Sequence, residues 1–415
     1  MRAFTILLLT ALTMGCLVKD DDDAEQAEQT SDEGAVATIL ASGSDRLSPE
    51  EIERARLVMD WREFVDRDTT QLGDSAANGD TTAARAPAGS PGDTTPSGAR
   101  NERWDDITPE AVNSGAIALP VYGDVAGASV VRVQLLLDRA VFTPGVIDGR
   151  WGRNTEKAVF WLQRREGLPA TGRVDEQTWQ RLTQLAGQAT ELVRQHALTA
   201  DDVKGPFVQL PEKMYERRSL DCQCYESLGE KLAERFHTTE ELLRKLNEGV
   251  DLNAVQAGQT LNVPIVERNV SATGGEVARV VVSDGGGYVQ ALDASGRVLY
   301  HFPATLGSEY SPSPTGDYRI TKIARNPSWH YQPALLENVP DDEPDAVLPA
   351  GPNNAVGTVW MQLSKEHFGI HGTSAPESIG YTTSNGCVRL TNWDAEFLSQ
   401  RLKPNTPVTF RDIRN

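Results

Sequence analysis

The chain has 415 residues and a formal charge of −19 at pH 7, from 40 Lys and Arg against 59 Asp and Glu. That length holds two or three domains with real cores, and 39% hydrophobic with 24% charged residues is an ordinary globular balance. So acidic a chain excludes a nucleic-acid surface, because phosphate contacts need clustered Lys and Arg. Most of the acidic excess falls before Glu110, which places it in a tail.

Residues 1–15 read as one base, an apolar run from Ala3 to Leu12 and a small residue before Cys16. This is an export signal, too short to span a bilayer. The placement of Cys16 after Gly15 resembles a bacterial lipoprotein signal. That implies a lipidated Cys16 as the mature N-terminus, a membrane anchor, and a periplasmic or envelope location, at the outer membrane where the cell has one. An ordinary secretory signal with an incidental Cys is the alternative. Residues 16–106 read as an acidic, low-complexity tether. One short helix near 48–67 interrupts it, with Leu47, Ile52, Ala55, Val58, Met59 and Phe64 on one face.

Four cysteines in an exported chain of this size are no disulfide scaffold. Cys222 and Cys224 read as two structural thiols or one local bridge.

Order is expected from about Ile107. Val130, Val133, Leu136 and Leu137 mark a helix by their spacing. A Gly-rich turn follows, then a helix capped by Asn154 or Thr155, a second turn at Gly172 and Asp175, and a third helix opened by Thr178. Val133-Gln134-Leu135-Leu136-Leu137, Ile147-Asp148-Gly149-Arg150-Trp151-Gly152, Gln163, Gly167-Leu168, Gly172 and Thr178-Trp179 resemble the three-helix peptidoglycan-binding domain. The resemblance implies attachment to wall glycopeptide for residues 107–200.

Residues 210–266 form a second small unit. Leu228, Leu232, Phe236, Leu242, Leu243 and Leu246 alternate with charges on two short helices, and Gly258 to Pro264 reads as turn and strand. This is similar to a LysM glycan-binding repeat, except that Asp221-Cys222-Gln223-Cys224-Tyr225 stands where the first strand is expected. Glycan binding and a spacer role both stay open. His237 reads as a partly buried helix-end residue, and His196 as the end of a polar helix.

Residues 277–413 change to strands: Val280–Val282, Tyr288–Leu292, Val298–Phe302, Tyr318–Ile323, Val356–Leu363, Phe368–His371 and Val408–Arg411. Only Asp394–Leu402 looks helical, after Thr391 or Asn392. The whole is expected to be multidomain, with an all-β barrel or sandwich after the two small units. Cys387 is the only Cys in this last part. A thiol becomes a nucleophile as thiolate, and His371 offers a base for its proton. Gly386 lets the backbone turn its N–H groups toward a carbonyl, and Arg389 adds positive potential.

His371-Gly372-Thr373, Gly380 and Ser384-Asn385-Gly386-Cys387-Val388-Arg389 carry the spacing of the L,D-transpeptidase signature. Ser313-Pro314-Thr315-Gly316-Asp317-Tyr318, Asn326-Pro327-Ser328-Trp329 and Gly351-Pro352-Asn353-Asn354 are similar to that family's flanking motifs. Asn385 stands where many members have His, and Ala355 where Pro often follows. The resemblance implies a two-step acyl transfer, with three-to-three crosslinks on peptidoglycan stems and release of D-Ala. Cys387 is the implied nucleophile, His371 the base and then acid, and the Gly372 carbonyl the group that orients the ring. Backbone N–H groups of Asn385, Gly386 and Cys387 are implied as the oxyanion hole. Ser384, Arg389 and Thr373 shape the substrate site, and reaction with carbapenems is implied through the same Cys. The family needs no metal or organic cofactor. Residues 324–355 are the expected lid, on which acceptor choice depends. Hydrolysis, amino-acid exchange or protein-to-wall linkage are variants of the same acyl-enzyme, and a non-catalytic wall-binding scaffold is the rival. His367 and His371 have the spacing of a zinc pair, but Phe368-Gly369-Ile370 reads as strand, which favours a structural or surface role for His367. His301 and His330 read as packing or rim residues.

Overall fold

The computed structural model describes residues 97–411 apart from 188, 189, 337, 338 and 340–342. The export signal, Cys16 and the helix near 48–67 lie outside the described residues.

The described structure reaches at least ten residues upstream of the expected boundary. The Gly98 N–H and the Ser97 hydroxyl both donate to the Pro120 carbonyl, Ala99 is buried, and the Trp104 indole donates to the Asp148 carbonyl at 2.9 Å. The end of the expected tether is therefore part of the first folded unit. Here α1 (Pro109–Asn113), α2 (Ala128–Arg139), α3 (Arg153–Arg165) and α4 (Glu176–Ala186) enclose a core of Val130, Val133, Leu137, Ile147, Leu162 and Leu182. Two glutamine amides explain the motif spacing. Gln134 accepts from the N–H groups of Asp148 and Gly149, and Gln163 from those of Thr171 and Gly172, so each fixes a turn from inside. The expected caps are displaced: α3 starts at Arg153 behind Gly152, and the Asp175 carboxylate caps α4 by accepting from the Thr178 N–H at 2.8 Å.

The second unit holds the main departure from the sequence reading. Its first strand is present, and lies upstream. Val193–Ala197 (β1) pairs antiparallel with Thr260–Pro264 (β2), Val193 opposite Pro264 and Ala197 opposite Thr260. His196 is thus on a strand, not at the end of a helix, and residues 193–197 leave the 107–200 unit for this one. Between the strands come α5 (Ala200–Val203), α6 (Leu228–Arg235) and α7 (Glu240–Leu246), over a core of Leu198, Leu232, Phe236, Leu243, Leu252, Leu261 and Val263. Asp221–Tyr225 belongs to the insertion that separates β1 from α6, and Cys222 and Cys224 are joined by a disulfide.

After the short helix α8 (Val270–Thr273), the rest of the chain builds a curled eight-stranded sheet. In chain order the strands are β3 (Arg279–Ser283), β4 (Tyr288–Leu292), β5 (Val298–Pro303), β6 (Gly316–Arg325), then a separate hairpin β7 (Trp329–Tyr331) and β8 (Ala346–Leu348), β9 (Val359–Leu363), β10 (Gly369–His371), β11 (Val388–Arg389), the helix α9 (Asn392–Ser399) and β12 (Pro407–Arg411). The sheet order is β11-β10-β9-β6-β12-β3-β4-β5. It curls far enough that the segment after β5 meets β11: Thr305 and Arg389 exchange backbone hydrogen bonds of 2.8 and 3.0 Å. The interior carries Val280, Val282, Leu299, Phe302, Ile320, Met361, Ile370, Val388 and Leu398.

The units share their cores. Tyr288 packs with the helices of the first unit, edge-on to Trp161 at 5.2 Å, and Val141 packs inside the sheet domain. Residues 141–143 also cover the outer edge of β5 through two backbone bonds with His301, closing an edge that would otherwise template aggregation. His301 is fully buried there against Trp161 and Phe142, a packing residue, and burial pushes its pKa well below the usual value.

Candidate active site

The site sits on the seam where the sheet closes. β10 and β11 run parallel, with Ile370 beside Val388 and His371 beside Arg389. Residues at one register share a face of the sheet, and alternate residues return to it. His371 and Arg389 therefore point the same way, and Cys387 stands at the entry to β11, two residues before Arg389. The Gly369 N–H donates to the Cys387 sulfur, and the thiol donates to the His367 carbonyl at 3.6 Å. Cys387 is half-buried and is the only free cysteine among the described residues.

His371 is fixed on two sides. Its Nδ1 lies 2.7 Å from the Gly372 carbonyl, which makes Nδ1 the protonated nitrogen and leaves Nε2 as acceptor. Trp360, its partner on β9, stacks against the ring at 5.3 Å. Burial, reinforced by the charge of Arg389 and opposed by the Gly372 bond, lowers its pKa to about 3. Burial also raises the Cys387 pKa, against the Gly369 N–H and Arg389. The resting pair is thus neutral thiol and neutral imidazole.

Asn385, Gly386 and Cys387 form the turn into β11. Gly386 sits at φ +95°, and a Cβ there would come within 2.9 Å of the Phe368 ring, so glycine is required. Two serines brace this turn. The Ser313 hydroxyl donates to the Gly386 carbonyl at 3.0 Å and accepts from the Gly307 N–H at 2.9 Å. The Ser384 hydroxyl donates to the Cys387 carbonyl at 2.5 Å. Thr373 is buried and its hydroxyl accepts from the Ala375 N–H, which braces the loop after His371.

The residues between His371 and Cys387 are held from the first unit. The Arg153 guanidinium donates to the Gly380 carbonyl and lies over the Tyr381 ring at 4.8 Å, and Asn154 donates to the Ile379 carbonyl at 2.9 Å. The expected lid is the β7–β8 hairpin, and its base, residues 349–354, is pinned by the disulfide segment. The Gln223 N–H donates to the Ala350 carbonyl at 2.9 Å, the Gln223 carbonyl accepts from the Asn353 N–H at 2.9 Å, and the Asn353 amide donates to the Cys224 carbonyl at 3.1 Å. His367 is exposed at φ +64° and faces Glu366, not His371. His330 is exposed.

Asn392 and Glu234 escaped the sequence reading. Asn392 was one of two cap candidates; Thr391 is the cap, and that frees the Asn392 side chain for the Gly372–Thr373 backbone. No local signal pointed to Glu234, which meets Asn392 from 158 positions away.

Residues 278–410 match the family model of the L,D-transpeptidase catalytic domain. Residues 126–182 match a peptidoglycan binding domain model, and residues 230–264 the LysM domain. The "Putative L,D-transpeptidase YkuD" of Bacillus licheniformis is 30% identical over 180 residues, 43% of this chain and 91% of its own length. The "Probable L,D-transpeptidase YbiS" of Escherichia coli is 29% identical over 183 residues, 41% of this chain and 55% of its own. A crystal structure of the L,D-transpeptidase from Xylanimonas cellulosilytica aligns over 70% of this chain and 97% of its own, at 16% identity and a TM-score of 0.31. The family assignment rests on the sequence matches.

Proposed function

The chain belongs to the L,D-transpeptidase family, and on that premise we propose that it is a peptidoglycan L,D-transpeptidase forming three-to-three crosslinks through a Cys387 acyl-enzyme. As the Cys387 sulfur attacks the carbonyl of the third stem residue, His371 Nε2 takes the thiol proton. The developing oxyanion lies against the N–H groups of Asn385, Gly386 and Cys387. Collapse breaks the bond to the terminal D-Ala, whose amine leaves with the proton from His371, and a thioester remains. The side-chain amine of a neighbouring stem then attacks the thioester, gives its proton to His371, and leaves the crosslink as Cys387 recovers its proton. Arg389 supplies positive potential and Ser384 holds the Cys387 carbonyl out of the way. What supports this reading is the pairing of His371 on β10 with Arg389 on β11, two residues after Cys387, with the imidazole fixed through Nδ1.

The two small units place the enzyme on its polymer. Binding of peptidoglycan by the first and of glycan by the second raises the local concentration of stems. Cys16 carries the lipid that holds the chain at the envelope, and Cys16→Ser releases it from the membrane fraction. Among the described residues no helix is long and apolar enough to cross a membrane.

The test is intact mass spectrometry of the full chain incubated with disaccharide-tetrapeptide, beside Cys387→Ala. A mass gain equal to substrate minus D-Ala, absent from the variant, supports the acyl-enzyme. Folded protein with neither adduct nor released D-Ala overturns it in favour of a wall-binding scaffold.

A further inference from the structure

We propose that Glu234, in the LysM-like unit, is a positioning residue for His371: it holds Asn392, and Asn392 holds the Gly372–Thr373 peptide that orients the imidazole. The inference rests on the reading of Cys387 and His371 as the reacting pair.

One peptide group carries the argument. The Gly372 carbonyl accepts from His371 Nδ1 at 2.7 Å, and the N–H at the other end of that peptide bond, Thr373 N–H, donates to Asn392 Oδ1 at 3.1 Å. The plane that aims the imidazole is thus set by Asn392. The same Oδ1 accepts from the Thr358 N–H at 3.1 Å. The opposite end of the amide, Nδ2, donates to Glu234 Oε1 at 3.1 Å and to the Pro352 carbonyl at 3.2 Å. Two N–H donors at one end and oxygen acceptors at the other leave one orientation for the amide. Steric fit agrees, because a Cβ at Gly357 or at Gly372 would stand 2.1 Å from Asn392 Oδ1. Asn392 is wedged, and has no room to turn once Glu234 holds it.

Glu234 is a costly residue to place there. Its carboxyl also accepts from the Tyr225 hydroxyl at 2.9 Å, and the two charged groups beside it, Glu230 on the same helix and Glu396 on α9, are both acidic. Glu230 is itself occupied by the Asn353 amide and Glu396 by the Thr358 hydroxyl. Burial, with these neighbours, raises the Glu234 pKa to about 7 against the bonds from Asn392 and Tyr225. Packing alone would be served by an apolar side chain. A carboxylate gives Asn392 a charge-assisted acceptor, stronger than a neutral one. The LysM-like unit thereby reaches the reacting pair through two side chains and one peptide bond.

The experiment is the rate of iodoacetamide alkylation at the Cys387 peptide at pH 7, in the full chain, for wild type, His371→Ala, Glu234→Leu and Glu234→Gln. Folding is checked by circular dichroism. This readout needs the thiol and its base but no stem peptide, so it stands apart from the transpeptidase test. Glu234→Leu is expected to slow alkylation about tenfold through misplacement of the ring. Glu234→Gln, which keeps an oxygen for Asn392, is expected to restore it to within about twofold. Should Glu234→Leu not fold, Asn392→Ser cuts the same link and is expected to give the same loss. Alkylation of folded Glu234→Leu or Asn392→Ser at the wild-type rate overturns the positioning role. If His371→Ala reacts as fast as wild type, the reading of the reacting pair fails, and this inference with it.

Discussion

Arg268 is the cation on which the union of the three units depends. Its side chain, 7% exposed, lies between two carboxylates that are fully buried. Asp138 on α2 is 3.0 Å away and also meets His237 of the LysM-like unit at 3.0 Å; Asp394 on α9 accepts from Thr143 at 2.9 Å. His237 in turn stacks on Trp393 at 5.0 Å. Burial alone would lower the guanidinium pKa, but Asp138 and Asp394 outweigh it and raise it. Arg268→Met keeps the stem and removes the charge. Two buried carboxylates are then left without their guanidinium, and breaking a buried pair in this way costs about 3–5 kcal/mol. The sign with pH follows. Without Arg268 both carboxyls have raised pKa values in the folded state, so the variant keeps its stability below the unfolded carboxylate range and loses it as pH rises. The assay is urea unfolding followed by tryptophan fluorescence at pH 4.5 and pH 8. The deficit should reach about 3–5 kcal/mol at pH 8, shrink at pH 4.5, and be largely recovered by adding Asp138→Asn and Asp394→Asn. A loss under about 1 kcal/mol at pH 8, or one equal at both pH values, would refute the reasoning.

The neutral Cys387–His371 pair predicts that alkylation of Cys387 rises with pH through and beyond neutrality, with no acid plateau of the kind a preformed thiolate gives; a rate flat from pH 5 to 8 contradicts it. Gly386→Ala must place a Cβ against Phe368 at a left-handed φ, and is expected to cut acyl-enzyme formation by about a hundredfold, the size of effect found for a lost oxyanion donor, measured by stopped-flow mass spectrometry. The raised Glu234 pKa predicts a stability contribution present below pH 4.5 and lost as pH climbs through about 7. It is worth up to about 3 kcal/mol at 1.36 kcal/mol per unit and should be missing from Glu234→Gln in the same unfolding series. Trp161→Ala should cost about 3–5 kcal/mol, since its ring fills the core shared with Tyr288 and His301.

The candidate pair was legible because His371 on β10 and Cys387 at the entry to β11 are joined by one loop, so spacing along the chain stands in for spacing in the fold. The turn residues Gly386 and Ser384 were legible for the same reason. Strand β1 was not. Its five residues, Val-Arg-Gln-His-Ala, bury one side chain fully, and its partner lies beyond an insertion, so neither alternation nor a nearby hairpin marked it. Glu234 and Arg268 look like ordinary surface charges in sequence. Their meaning comes from partners that only the packing of separate units brings near, and no local pattern encodes that. The Cys222–Cys224 bridge was one of two open readings, and its place against residues 349–354 came only with the hydrogen bonds of Gln223 and Cys224.

The central claim is tested most directly by chromatography and mass spectrometry of the products formed from disaccharide-tetrapeptide by the full chain. The account predicts a dimer with the mass of two substrates minus one D-Ala, equimolar free D-Ala, and neither with Cys387→Ala or His371→Ala. Disaccharide-tripeptide with no dimer would contradict crosslinking and leave hydrolysis as the reaction of this site.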